Sequence, residues 1–209
     1  MSHIGKWAAL IAAAVLAVAS DAHAQAVTDL DAAASLLGKA SGQPVRPYST
    51  RDFGRDTFKA ARSVLVDAGK AEALVESLRP RLGPGLIAFV GTDTSLADPP
   101  AVGTEVVVAK GADQFDILRV AASDAVNYDM LTEDLIRKLK EWDAAYGIDI
   151  YMASSDTITF RLKTLPPDLH AFAEEVYEFC PDTVDQGVGS VEALAKAIGR
   201  DRVVGLWWD

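Results

Sequence analysis

The residue types that do chemistry gather near the C-terminal end of this chain. Cys180, its only cysteine, opens the run Cys180-Pro181-Asp182, and Asp185-Gln186-Gly187 follows; Glu178 stands just before and Asp209 at the far end. A cysteine attacks as its thiolate, which at neutral pH needs a base or a cation beside it. His170 lies ten residues upstream, and ten residues of continuous helix span about 15 Å, beyond hydrogen-bond reach. The surrounding Glu174, Glu175, Glu178 and Asp182 would raise a thiol pKa rather than lower it. The pattern favours a buried, inert Cys180 over a nucleophile.

Asp182 and Asp185 support two readings. Two aspartates in a loop bounded by proline and glycine offer oxygen ligands to Ca²⁺ or Mg²⁺, with Glu178 and Asp209 as further donors, which would suit a metal-dependent hydrolase. The same residues serve equally as turn chemistry: Asp side chains accept backbone N–H groups while Gln186 and Gly187 shape the loop. The spacing matches no EF-hand, and no histidine stands nearby for zinc. No G-x-S-x-G elbow, G-x-G-x-x-G turn or phosphate-binding P-loop occurs, and no cofactor is expected. Carboxylate pairs for glycosidic hydrolysis need a separation that spacing in the chain does not supply.

The elements that must position these groups are clearest in the second half. Phe115 to Ala121 reads as a strand, and Asn127-Tyr128-Asp129 as a turn. Thr132 is placed to cap a helix whose Leu131, Leu135, Leu139, Trp142 and Tyr146 share one face, stopped by Gly147. Residues 148–152 and 157–162 alternate in polarity around Ser154-Ser155-Asp156, the pattern of a hairpin. Pro166-Pro167-Asp168 launches a helix ended by Pro181. Ser190 caps another helix, closed by Gly199, and Val203 to Trp208 is a last strand. The order from residue 115 is β-α-β-β-α-(α)-β, an α+β fold of the ferredoxin-like, split β-α-β kind: an antiparallel sheet with helices on one face and one extra helix.

That topology makes a second candidate site. Alternation turns Leu118, Val120, Ile148, Ile150, Ile158, Phe160, Leu206 and Trp208 towards the helices, and Arg119, Tyr151, Thr159, Arg161 and Trp207 away from them. Arg119, Tyr151, Arg161 and Trp207 on one open face would seat an anionic or planar ligand. The plainer alternative buries Trp207 beneath an N-terminal strand hairpin, formed by Leu86–Val90 and Glu105–Val108.

Upstream, Asp29 to Ala40 suggests a small helix, and Ser41-Gly42-Gln43-Pro44 with Pro47 a linker. Leu74, Val75, Leu78 and Leu82 recur at helical spacing. At the start, Lys6, an apolar run from Trp7 to Ala19 and Ala22-His23-Ala24 have the form of a cleavable leader. The expected organisation is a signal peptide over 1–24, a helix and linker over 25–60, and one α+β domain over 61–209. The mature chain would start at Gln25, outside the cytosol, periplasmic or secreted, and without a stable membrane anchor after cleavage. The apolar run falls short of the roughly 20 residues of a spanning helix. A formal charge of −10 disfavours nucleic acid as a partner. A protein or a small ligand is expected instead.

The terminal motifs carry a resemblance. Cys180-Pro181-Asp182, Val184-Asp185-Gln186-Gly187-Val188-Gly189 and Trp207-Trp208-Asp209 resemble a bacterial family catalogued as domain of unknown function 4253. Asn127-Tyr128-Asp129, Leu139-Lys140-Glu141-Trp142, Tyr146-Gly147 and the stretch from Phe172 to Pro181 support it. The resemblance covers about residues 115–209. It implies a domain boundary and no activity, so it assigns no catalytic residue. The sequence therefore points to a non-catalytic binding domain, with the metal-dependent hydrolase as the alternative.

Overall fold

Seven strands form one mixed sheet in the order β1-β2-β4-β3-β5-β6-β7: β1 Arg46–Ser49, β2 Thr57–Val66, β3 Leu86–Val90, β4 Thr104–Lys110, β5 Ile148–Ala153, β6 Thr157–Leu162 and β7 Val203–Trp207. The helices are α1 Leu30–Ser41, α2 Ala68–Leu78, α3 Asp116–Ala121, α4 Thr132–Tyr146, α5 Leu169–Phe179 and α6 Val191–Asp201. This computed structural model describes residues 26–49, 57–93 and 101–209, so the leader expected at 1–24 lies outside the described residues. None of the described helices is long and apolar enough to cross a membrane.

The fold is α+β, with helices on both faces of the sheet rather than on one. Strand β4 shows why. Its Val107 and Ala109 enter one core while Val106 and Val108 enter another, and a strand apolar on both sides demands cover on both. Leu30, Leu36 and Leu37 of α1 and Ala71, Val75 and Leu78 of α2 supply the second core, over β2, β4 and β3. Helices α3 to α6 cover the opposite face, where Trp142, Phe160, Phe172 and Ile198 meet Ile148, Ile150, Val204 and Leu206.

Three expected elements differ. The strand expected over Phe115 to Ala121 is the helix α3, so the chain lacks the first strand of the split β-α-β order. Ile117, Leu118, Val120 and Ala121 are all buried, and a short helix buried on most sides presents the same apolar run as an inner strand. Its turn is set by Asp113, which accepts from the Phe115 N–H (2.8 Å), and by Asp116, which accepts from Ala112 (2.6 Å). Second, part of the expected 25–60 linker is strand, because β1 spans 46–49 and β2 begins at 57. Pro47 argued against this, yet it sits on an edge strand, where proline's missing N–H is tolerated. Third, α6 runs through Gly199 to Asp201, with Arg202 in the left-handed conformation. Gly199 permits close approach instead: a Cβ there would lie 3.0 Å from Leu169 Cδ1.

The expected 86–108 hairpin forms, β3 pairing antiparallel with β4, but it lies beside β5 and extends the sheet instead of covering its face. The β3–β5 junction is parallel and carries one registered pair, Val90 with Met152. Side chains reinforce this seam. Arg79 donates to Ala88 O (3.1 Å), to Asp149 Oδ1 (2.6 Å) and to Ile150 O. Gln114 Oε1 accepts from the Ile150 N–H at 2.9 Å.

Candidate functional site

The second half of the sheet positions three of the four residues assigned to the binding face. Ile148, Ile150, Ile158, Phe160, Leu162, Val204 and Leu206 point into the helical core. The alternate positions, Tyr151, Arg161 and Trp207 among them, lie on the outer face, the one α1 and α2 cover further along the sheet. Arg119 is not with them. It projects from α3 and forks between Glu133 of α4 (2.7 and 3.0 Å) and Asp116 (2.7 Å), joining two helices on the opposite face.

Arg161 is already engaged. Its Cζ lies 4.2 Å from the Tyr151 ring centroid. Its guanidinium pairs with Glu72 and Glu76 of α2, the latter at 3.4 Å, and with Asp149 at 3.9 Å. Burial, and then the Asp149 charge, push the Tyr151 hydroxyl pKa up. Trp207 stands apart. Arg161 is registered with Val203 and Thr157 with Trp207, so four residues, about 13 Å of strand, separate the two ends. Between them Gly205 is exposed, and a Cβ on it would meet nothing within 4 Å. Trp207 itself keeps 36% of its surface exposed. Helix α2 reaches the outer face of β6 at Arg161, through Glu72 and Glu76, while Gly205 and Trp207 of β7 are exposed on that face.

The terminal motifs converge on a different object, a clasp on the free edge of β7. Trp208 donates to Asp156 O, so the odd-numbered residues of β7 turn their backbone groups to the edge. The Cys180 thiol donates to Trp207 O (3.0 Å) and its sulfur accepts from Trp207 N–H (3.3 Å). The Thr183 hydroxyl reaches Gly205 O at 3.1 Å. These bonds occupy an edge that would otherwise invite another strand. Asp182 locks the arrangement, accepting from Tyr128 OH (2.8 Å), Gln186 Nε2 (2.9 Å) and the Asp209 N–H (3.0 Å). The bond from Asp209 and those from Gln186 and Tyr128 hold its carboxyl pKa below the ordinary range. Trp208 is buried, its ring 5.7 Å from that of Phe179, which stands 5.5 Å from Trp142.

This geometry leaves little for nucleophilic or metal chemistry in the loop. Burial raises the Cys180 thiol pKa. Both Asp182 oxygens accept from protein donors, and Asp185 accepts from Tyr177 OH at 3.1 Å. Among the described residues no group of three or more His, Cys, Asp or Glu is placed to hold a metal ion. A shallow cleft of about 370 Å³ lies beside the clasp, lined by Asp129, Met130, Asp134, Arg137, Lys138, Glu141 and Phe179. Its cations are held by carboxylates, Arg137 by Asp134 (2.6 Å) and Lys138 by Glu175 (2.5 Å).

Sequence reasoning missed Glu72, Glu76, Asp149 and Gly205 as members of the outer face. The i,i+4 spacing of Glu72 and Glu76 marked them as one helical stripe, but nothing local showed which arginine the stripe would meet.

A half-open α+β sheet sealed along β7 by a Cys-Pro-Asp clasp thus defines the class of protein. The family model described as Domain of unknown function (DUF4253) matches residues 105–209, from the second residue of β4 to Asp209, and the chain belongs to that family. No curated protein and no solved structure matches the chain.

Proposed function

We propose that this chain is an exported, non-catalytic recognition domain that binds a partner across the outer face of β5, β6 and β7, with Tyr151, Arg161 and Trp207 as its contacts. The observation that carries the reading is Trp207, a large aromatic side chain left 36% exposed on a sheet face with open space above Gly205. An exposed indole beside bare strand is a usual starting point for a contact surface. The reactive residue types elsewhere are engaged in the clasp or in ion pairs, which favours binding over catalysis.

Two experiments test it. Gly205→Arg puts a long side chain into the open space, where its Cβ meets nothing within 4 Å, and Trp207→Ser removes the indole. Both variants should keep the wild-type circular dichroism and lose the partner captured by the wild-type protein; unchanged capture refutes the face. Export is tested by mass spectrometry of fractionated cells. The expected species starts at Gln25 and lies outside the cytosol, and the unprocessed chain found only in the cytosol refutes it.

A further inference from the structure

The two arginines nearest the face suggest an anionic ligand, but the charges around them point the other way. Arg161 is bound by Glu72, Glu76 and Asp149, and Arg79 by Asp149 and two backbone carbonyls. Three carboxylates therefore meet two guanidiniums. The carboxylates are also the better exposed: the Glu72, Glu76 and Asp149 side chains keep 47%, 60% and 39% of their surface, against 31% for Arg161 and 27% for Arg79. A partner approaching this end meets carboxylate first. An anion would have to break existing pairs, whereas a cation adds to them. At the other end no cation lies over the Trp207 ring among the described residues, and indole is the strongest cation–π acceptor of the aromatic side chains.

Shape narrows the occupant. Tyr151 and Trp207 stand on β5 and β7, two strands or about 10 Å apart, with Thr157, Thr159 and Gly205 on the outer side of the strands at and between them. This is an open trough, and small molecules favour enclosed, concave sites. Strand addition along β7 is blocked, because Cys180 and Thr183 occupy its edge.

We infer that the face takes a basic segment of a partner polypeptide lying across the sheet, one cationic side chain over Trp207 and a second against Glu72, Glu76 and Asp149. The two ends lie about 13 Å apart along the strands and two strands, about 10 Å, apart across them, a diagonal of about 16 Å that two long arginine side chains span from positions i and i+4 of an extended segment. The inference rests on the recognition reading above and adds its charge.

The test uses the full chain and two synthetic peptides, acetyl-Gly-Arg-Ser-Gly-Ser-Arg-Gly-amide and its counterpart with glutamate for both arginines. The readout is the Trp207 indole N–H resonance, assigned by its loss in Trp207→Phe. The arginine peptide should shift it saturably, at least threefold more weakly at 200 than at 20 mM salt, and at least threefold more weakly in the Glu72→Gln/Glu76→Gln double variant. The glutamate peptide should leave it unmoved. Equal shifts with both peptides, no shift with either, or an arginine-peptide response confined to the Met130 and Phe179 region overturns the inference. Failure of the face itself reads differently: capture of the natural partner would then survive Gly205→Arg. If capture is lost in that variant but the partner's contact segment proves acidic, the face stands and the charge inference falls.

Discussion

Replacing Cys180 with alanine tests whether the clasp is structural. The thiol is fully buried and makes two bonds to the backbone of Trp207, accepting its N–H at 3.3 Å and donating to its carbonyl at 3.0 Å. Alanine removes both and leaves two edge groups of β7 without partners under the 180–185 turn. An orphaned buried polar group costs about 1–3 kcal/mol, and because a thiol bonds weakly each loss belongs at the low end, for a total of about 2–3 kcal/mol. For a domain of this size that lowers the melting temperature by about 4–12 °C. Serine keeps a donor and an acceptor at the same position, so Cys180→Ser should lose less than Cys180→Ala. Urea titration is the assay, and the expected signature is a lower midpoint with an unchanged slope. A second arm uses iodoacetamide at pH 8 on the native protein. Burial and a raised thiol pKa should limit labelling to the rate of opening. An alanine variant within about 0.5 kcal/mol of wild type, the scatter of neutral substitutions, refutes the clasp. So does rapid labelling of the native thiol.

Three further predictions follow from the same contacts. The folded Asp182 carboxyl titrates below its unfolded value, so its contribution to stability is full above the ordinary aspartate pKa of about 3.9 and is lost as pH falls through the lower folded value. The difference in urea midpoint between wild type and Asp182→Asn should be constant above that value and shrink below it; a difference that grows on acidification contradicts the assignment. Arg79→Met leaves the Ala88 and Ile150 carbonyls without their side-chain donor at the parallel seam and Asp149 with only its longer pairing to Arg161, costing about 2 kcal/mol once partial solvent exposure is discounted, and amide exchange should rise first in β3 and β5. Millimolar Ca²⁺, Mg²⁺ or Mn²⁺ should leave the melting temperature unchanged, because Asp182 and Asp185 already have protein partners; a rise of several degrees would restore the metal-dependent hydrolase.

Elements with a local signature were legible in the chain. Asp168 caps α5 by accepting from His170 and Ala171, Ser190 caps α6, and Gly147 takes a positive φ of 65° at the end of α4. Thr132 missed by one residue: Leu131 holds the cap position, its N–H bonded by Asp134. What escaped was decided at a distance. Helix α3 is a helix because its apolar residues are enclosed between the sheet and α4, not because six residues announce a period. Strand β1 exists because β2 offers it an edge. The outer face kept Tyr151, Arg161 and Trp207 but lost Arg119 with the misread strand. Arg161 changed its meaning through Glu72 and Glu76, some ninety residues away.

The clasp also explains why the chemistry-bearing residues gather at the C-terminal end. Cys180, Asp182, Gln186 and Asp209 are the types a reader of active sites selects, yet each binds the chain's own backbone or its neighbours in the loop. A strand at a sheet's edge needs its unpaired groups covered, and small side chains with both donors and acceptors do this as well as they do catalysis. The C-terminal run that carries the family resemblance is therefore best read as the means of closing β7. On the proposed reading, recognition falls to the residues that the closure leaves in solvent. Trp207 belongs to both sets: its backbone is clasped, which fixes the strand, and its indole is thereby presented on the open face. Loosening the clasp should then weaken binding without touching a binding residue, so Cys180→Ala should lose affinity for the partner in proportion to the disorder it introduces at Trp207.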